Sequence, residues 1–412
     1  MSFRAKSMFT PVRLTVVAIV VFIICMIIYP TAVFQASKTG VNAWWNIVFP
    51  ALLPFFISSE LLMNYGVIQF MGVLLEPVMR PLFNLPGAGS FVLAVGYTSG
   101  FPISASLTAR LRKDRLCTRL EAERLMCFTN NASPLFMLVA VGVGMFNNPR
   151  LGIIIAMGHY AGNLLLGFLL RFYKSDDPEF KPAKLRRDSL FREAVAEMLK
   201  AYRANPRPFA QILGDAITSS VNKLLVIGGF VIIFSVIIKI CTLTGLMAVV
   251  TSVLAIAAGP LGFTKPAVQS LGCGFFEITL GTKAAAEAAA SLTQKVTAAS
   301  VILGWSGISV LAQVSAMISE TDLKMGLFIL SRLFHAITAG IFSLLLLRSE
   351  VVQAWLSRPA LTGQLYSQAA SSWSATLLYY SRLCIYAILI WVLLALVIYV
   401  WHSFSIIRLR LK

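Results

Sequence analysis

The chain has 412 residues, of which 58% are apolar and only 13% charged, and its mean hydropathy is +0.80. A water-soluble domain cannot carry that balance, because too little polar surface remains to cover its core. The formal net charge of +18 would suit nucleic acid, but the Lys and Arg residues sit between apolar runs rather than on one basic module, so topology explains them and no nucleic-acid partner is expected.

In chain order, the first apolar run, 14–34, carries a basic flank in Arg4, Lys6 and Arg13. It exceeds a signal-peptide core and has no small-x-small cleavage pattern, so it reads as a retained helix within an N-terminal segment 1–41. A second span is expected over 43–63. The shorter run 66–83 is broken by Glu76-Pro77 and Arg80-Pro81 and reads as interfacial or tilted. The stretch 88–112 has an apolar arm, a Gly-rich middle and a second arm of small residues, which predicts a re-entrant helical hairpin. Spans follow over 127–146 and 151–171.

The basic linker 173–208 places Leu190, Val195, Met198 and Leu199 at helical spacing, predicting an amphipathic helix over 188–203 on the cytoplasmic membrane surface. A span over 218–240 leads to a short run, 245–262, and a second hairpin over 266–290. Spans over 295–318 and 325–347 come next. A connector rich in Ser, Gln and Ala, 349–377, joins a last helix, 378–401, with a basic tail to Lys412.

The expected fold class is all-α: a polytopic membrane bundle of about eight spanning helices with two re-entrant helical hairpins. That count puts both termini, the cluster Arg110 to Arg124 and the basic linker on one face. Lys38, Arg150, Lys265, Arg348 and Arg358 fall on the other, as the positive-inside rule asks. Segments 42–172 and 209–348 repeat the same order of elements at an offset of about 180 residues. Each has an odd number of crossings, so the second copy enters upside down, forming an inverted repeat. The six cysteines show no CxxC spacing, and His159, His335 and His402 lie too far apart for a metal site, so no metal and no cofactor are expected.

Irregular backbone at membrane depth is tolerated only where protein covers it or it lines a wet cavity. Four segments are therefore expected to meet around a solute. They offer Thr98, Ser99 and Gly100; Thr129, Asn130, Asn131 and Ser133; Glu277, Thr279, Gly281, Thr282 and Lys283; and Ser306, Gly307 and Ser309. The second arm of each hairpin opens with free N–H groups and a positive dipole end, which favours an anion. In a deep hairpin Lys283 reinforces that end, and Glu277 either pairs with it or carries a coupling proton or Na+. In a shallow one, Lys283 and Glu287 form a surface pair. Asn130, Asn131 and Ser133-Pro134 fit a helix cap equally well. Glu60, Asn64, Asp215, Asn222 and Gln313 read first as interhelical hydrogen-bonding groups. There is no Ser-His-Asp set, HExxH or P-loop, so an enzyme is not expected.

Several stretches carry a family resemblance: Phe49-Pro-Ala-Leu-Leu-Pro-Phe-Phe56, Ser59-Glu60-Leu61-Leu62, Gly72 to Phe83, Gly96 to Pro102, Thr108 to Arg112, Glu121 to Arg124 and Gly304 to Ser309. With these the chain resembles the YlbJ (SpoVV) group of sporulation integral membrane proteins. That group lies within the nucleoside-recognition, or Gate, domain family and is similar to concentrative nucleoside transporters. The resemblance implies two oppositely oriented hairpins and two unwound helices around one solute. It also implies transport of dipicolinic acid across the outer forespore membrane for spore cortex formation, with both termini in the mother-cell cytoplasm. A nucleoside-type transporter and a non-transporting sporulation scaffold stay open. The partners are the solute and the lipid bilayer, with homo-oligomers left open. Departures from the family pattern at Phe101 to Ser104, Asn130 to Ser133 and Leu311 fall in the proposed site, so the substrate can differ while the fold holds.

Overall fold

The computed structural model describes residues 11–174, 190–204 and 206–357. The expected C-terminal span 378–401 with its tail, most of the connector 349–377, the Arg4 and Lys6 flank and the middle of the basic linker lie outside the described residues. Met1–Ser349 form one compact unit and Glu350–Lys412 a second. All regular elements among the described residues are helical.

Helix α1 (Pro11–Ile28) ends where Tyr29 leaves helical geometry, and Pro30 opens α2 (Pro30–Ala43) near its first position, where a missing N–H costs nothing. A π-helical turn, Trp44–Val48, carries α2 directly into α3 (Phe49–Asn64). Next come α4 (Val67–Phe83), α5 (Ala88–Ser99), α6 (Ile103–Lys113) and α7 (Arg119–Thr129), the last opened by a Thr118–Glu121 capping box. Non-helical residues 130–133 separate α7 from the π-helical segment Phe136–Met145. Helices α8 (Pro149–Leu170), α9 (Leu190–Ala204), α10 (Phe209–Leu243) and α11 (Leu246–Ala258) follow. Then come α12 (Lys265–Phe276), α13 (Ile278–Glu287), α14 (Leu292–Trp305), α15 (Gly307–Ile318) and α16 (Met325–Arg348). The second unit contributes α17 (Glu350–Ser357).

One expectation needs correction. The first two spans, placed at 14–34 and 43–63, are divided at Tyr29, and the polar stretch around Gln35 to Gly40 is helical rather than a loop. It is helical because it packs: Ser235 of α10 donates to the Ala36 carbonyl at 2.6 Å, and a Cβ on Gly40 would stand 3.0 Å from Ile232. The expected amphipathic helix forms as α9, and two of its aromatic side chains meet residues around the start of α4. Tyr202 of α9 stacks on Tyr65 at 5.4 Å, and Phe191 meets Phe70 edge-on at 5.8 Å.

Among the described residues, five runs are long and apolar enough to cross a bilayer: Pro30–Leu62, Pro149–Leu170, Phe209–Leu243, Leu292–Ile318 and Met325–Arg348. Their polarity is turned inside out. On α16, Leu330, Leu333, Ile337, Ile341 and Leu345 form an exposed apolar stripe, while Ser331, Arg332, His335 and Ser343 are buried. The protein is an all-α integral membrane bundle. Small residues let α8, α14 and α16 approach closely: a Cβ on Gly162 would lie 2.9 Å from the Ala339 nitrogen, and one on Gly304 would lie 2.7 Å from the Ala336 Cα.

Helices α5 and α6 form one re-entrant hairpin, and α12 and α13 form another. The consecutive helices α14 and α15, joined at Ser306–Gly307, span at most about 40 Å and serve as a ruler for the orientation of the hairpins. At its start, Gln294 bonds Thr264 before α12, and Lys295 bonds the Ala286 carbonyl near the end of α13, so both bases of the second hairpin lie there. At its far end, Arg112 of α6 pairs with Asp322 and Lys113 with Glu320. Arg124 of α7 reaches the Asn84 carbonyl just before α5. The two hairpins therefore enter from opposite ends of the bundle.

Candidate functional site

Each hairpin tip rests on the interrupted helix of its own half. In the first, α5 stops at Gly100, whose φ of 77° suits glycine, and a Cβ there would stand 2.9 Å from the Ser133 nitrogen. In the second, Glu277 is extended between α12 and α13. A Cβ on Gly307 would lie 3.2 Å from the Glu277 Cα. Ser306 and Gly307 both have positive φ, 77° and 74°, which ends α14 and restarts the chain as α15. For Ser306 that conformation costs roughly 1–2 kcal/mol.

The four places converge on one chamber. It is lined by Ser99, Gly100 and Phe101 from the first tip, Ala132 and Ser133 from the first break, Glu277, Ile278 and Thr279 from the second tip, and Ser309, Val310 and Gln313 from α15. Val48, Leu52, Phe56, Ile227, Phe230 and Val231 close it with an apolar wall from α3, α10 and the π-helical turn between α2 and α3. Sequence reasoning missed that wall, because apolar residues in an apolar span carry no local mark. The chamber leaves about 60 Å³ for the centres of water-sized molecules, against the roughly 10–15 Å³ that one water needs.

Of the expected binding residues, Ser99, Gly100, Ser133, Glu277, Thr279 and Ser309 line this space. Others are spent on structure. Thr98 is exposed and returns its hydroxyl to the Ala94 carbonyl at 2.9 Å; Thr129 does the same to Leu125 at 2.7 Å. Asn130 accepts from Ser104 at 3.0 Å, and Asn131 donates to the Phe128 carbonyl at 2.8 Å. Gly281 packs on the Gly274 backbone and holds the two arms of the second hairpin together. Thr282 bonds the Ile278 carbonyl at 2.7 Å and touches the Met145 sulfur at 3.3 Å. Ser306 and Gly307 supply the bend behind the chamber.

Lys283 requires a correction. Its ammonium lies 3.9 Å from Glu287 with 28% of the side chain exposed, the surface pairing of the shallow alternative, and it does not line the chamber. Lys283 lies two turns along α13, on the way back to the hairpin's base. Glu277 instead caps its own helix, accepting from the Leu280 nitrogen at 2.7 Å. The positive end of α13, expected to receive an anion, is thus already met by a resident carboxylate.

Buried polar atoms mark what remains available. The Oγ atoms of Ser306 and Ser309, the Asn131 Oδ1 and the Asn130 Nδ2 have no hydrogen-bond partner among the described residues. Each such group costs about 1–3 kcal/mol unless water or a solute meets it. Neither α6 nor α15 has a side-chain cap at its start. Glu60 of α3 pairs with Lys223 of α10, and Arg207, just before α10, binds Asn64 of α3 and Asp215 at 2.6 Å each, so Glu60 and Asn64 tie α3 to the α10 segment and Asp215 makes a local pair.

Residues 46–149 match the nucleoside recognition (Gate) family, a stretch that runs from the π-helical turn through the first hairpin to the start of α8. The sporulation integral membrane protein YlbJ of Bacillus subtilis (strain 168) is 45% identical over 335 residues, 80% of this chain and 81% of that protein. The chain belongs to the YlbJ family. An uncharacterized protein of Alkalihalophilus pseudofirmus is 29% identical over 109 residues, 26% of this chain and 23% of the other. Among solved structures, a CNTnw variant in its intermediate 1 state is similar, with a TM-score of 0.45 at 14% identity, covering 81% of this chain and 86% of that one. CNTnw in an inward-facing substrate-bound state gives 0.43 at 15%, covering 77% and 84%.

In this YlbJ-family chain the fold also assembles a cluster that the sequence reading dismissed. His159 and His335, judged too far apart, have ring centroids 4.3 Å apart, because α8 and α16 pack closely. Between them and α7 lies Arg332, fully buried, which donates to the Asn130 carbonyl at 3.0 Å and to the Cys127 carbonyl. It also faces the His335 Nδ1 at 3.3 Å, while the His335 Nε2 meets the His159 carbonyl at 2.8 Å. Those partners assign His335 as the Nε2–H tautomer. Asn163 of α8 donates to Phe128, another carbonyl at the end of α7. A cation inside an apolar span was the available signal for Arg332.

Proposed function

We propose that this YlbJ-family protein carries a small polar solute across a bilayer, presenting it at the chamber between the two hairpins. One observation carries the reading. Two hairpin tips, entering from opposite ends, and the two interrupted helices bring Ser99, Ser133, Glu277, Thr279 and Ser309 to one chamber inside the bundle, where the Ser309 hydroxyl has no partner among the described residues. An integral membrane protein that only docked partners has no use for buried hydrogen-bonding groups left unmet. Ser99, Ser133, Glu277, Thr279, Ser309 and Gln313 would hold the solute, with Phe56, Phe101, Phe136 and Phe230 against its flat faces.

The relative's description supports a place in sporulation, and within that reading we infer dipicolinic acid as the cargo and the outer forespore membrane as the place. The Glu277 carboxylate asks that an anionic cargo enter with a proton or Na+, and it favours a second reading, an uncharged polar solute such as a nucleoside. Both are tested by uptake of dipicolinate and of uridine into vesicles holding the full chain, with and without imposed proton or Na+ gradients. Dipicolinate uptake above empty vesicles, raised by a cation gradient, is the expected result. Uridine uptake alone selects the second reading. No uptake of either under any gradient leaves a non-transporting scaffold.

A further inference from the structure

The interrupted end of α7 poses an electrostatic problem. Stopping a helix inside the bundle leaves its last carbonyls without intrahelical donors and concentrates the negative end of its dipole there. The usual solution in water is solvent, and here the carbonyls of Cys127, Phe128 and Asn130 are buried. Asn163 and Asn131 both donate to Phe128, and Arg332 takes the other two. No carboxylate pairs with Arg332 among the described residues, although a buried guanidinium ordinarily has one. Its counter-charge is the helix end itself.

We propose that Arg332 is a positioning residue for the solute site: its guanidinium, held by His335, replaces the missing helical hydrogen bonds of α7 and keeps residues 130–133 unwound toward the chamber. The purpose of that positioning rests on the transport reading above. The geometry is specific to arginine, because two N–H groups diverge to two carbonyls at different levels of the helix end while a third direction faces the imidazole. A lysine reaches one carbonyl at a time. With a neutral side chain, the Cys127 carbonyl is met most cheaply by the Asn131 N–H, which winds residues 130–133 toward helix and withdraws Ala132 and Ser133 from the chamber, while Pro134 has no N–H to offer the Asn130 carbonyl.

The test reads the backbone break directly, with no need for the cargo. Ala132→Cys and Ser309→Cys, both lining the chamber, are introduced separately into the full chain in vesicles and labelled with a charged, membrane-impermeant methanethiosulfonate, the native cysteines giving the baseline. Arg332→Gln is expected to slow labelling at Ala132→Cys by about tenfold and at Ser309→Cys by less than about twofold, with Arg332→Lys between parent and Gln. Unchanged labelling at both positions overturns the proposal. Loss at both positions in Arg332→Gln and again in Arg332→Lys also overturns it, by making Arg332 a general folding residue. If neither cysteine reacts in the parent, the wet chamber itself is refuted, and the positioning role falls with it.

Discussion

The Arg112 guanidinium grips both carboxylate oxygens of Asp322, at 3.0 and 2.8 Å, across 210 positions of sequence. This pair ties the base of the first hairpin to the turn between α15 and α16. Beside it Lys113 meets Glu320 at 2.5 Å, and Glu123 accepts from the Lys324 backbone at 3.1 Å. The Arg112 hydrogen bonds hold the Asp322 carboxyl below its ordinary range, against the smaller opposing effect of burial. A lowered carboxylate contributes stability that is complete above its unfolded value, near 4, and that disappears as pH falls through the lowered folded value. Asp322→Asn is therefore expected to lower thermal stability at pH 7 by about 0.5 kcal/mol, a small amount because the pair is half exposed. The gap between variant and parent should close as pH falls through the lowered value of the Asp322 carboxyl and shrink in molar salt. A gap that widens on acidification would contradict the assignment.

Glu277 has two roles that different substitutions separate. Glu277→Ala removes the cap of α13 and should cost about 1 kcal/mol of stability. Glu277→Gln keeps an acceptor for the Leu280 nitrogen and removes the charge. In vesicle uptake the Gln variant should favour dipicolinate over uridine more than the parent does. An unchanged ratio would show that the carboxylate does not face the cargo.

The second hairpin closes on glycine. A methyl group at Gly281 would run into the Gly274 backbone, so Gly281→Ala should destabilise by about 1–3 kcal/mol. Gly214, in α10, has no atom of the described residues within 4 Å of where its Cβ would be. Gly214→Ala should stabilise by about 0.5–1 kcal/mol through helix propensity alone. Thermal unfolding of both variants in one detergent would check the pair, and equal shifts would refute the contact.

Lys283→Ala should leave uptake within about twofold of the parent, because the ammonium meets Glu287 at the surface and not the chamber. A large loss of uptake with normal insertion would return Lys283 to the solute site.

The sequence was most legible where glycine, proline and small polar residues interrupt apolar runs. Gly96 to Pro102, Thr129 to Pro134 and Gly304 to Ser309 could be located as breaks, since each breaks a helix by local chemistry. Gln35 to Gly40 misled for the opposite reason: packing against α10 overrode a composition that favours loops. The depth of Lys283 was not local information either, because it depends on where the hairpin turns. The pairing of His159 with His335 and the contact of Arg332 with α7 join residues far apart in sequence, and only tertiary packing brings them together.

The two ends of the bundle are held by unlike forces. Where α6 meets the turn after α15 the fasteners are ion pairs, whereas the matching approach of α13 to the segment before α8 rests on Thr282 against the Met145 sulfur. Ionic strength loosens the former and leaves the latter, a hydrogen bond between uncharged groups, almost untouched. Salt is thus a handle on one mouth of the protein and not on the other.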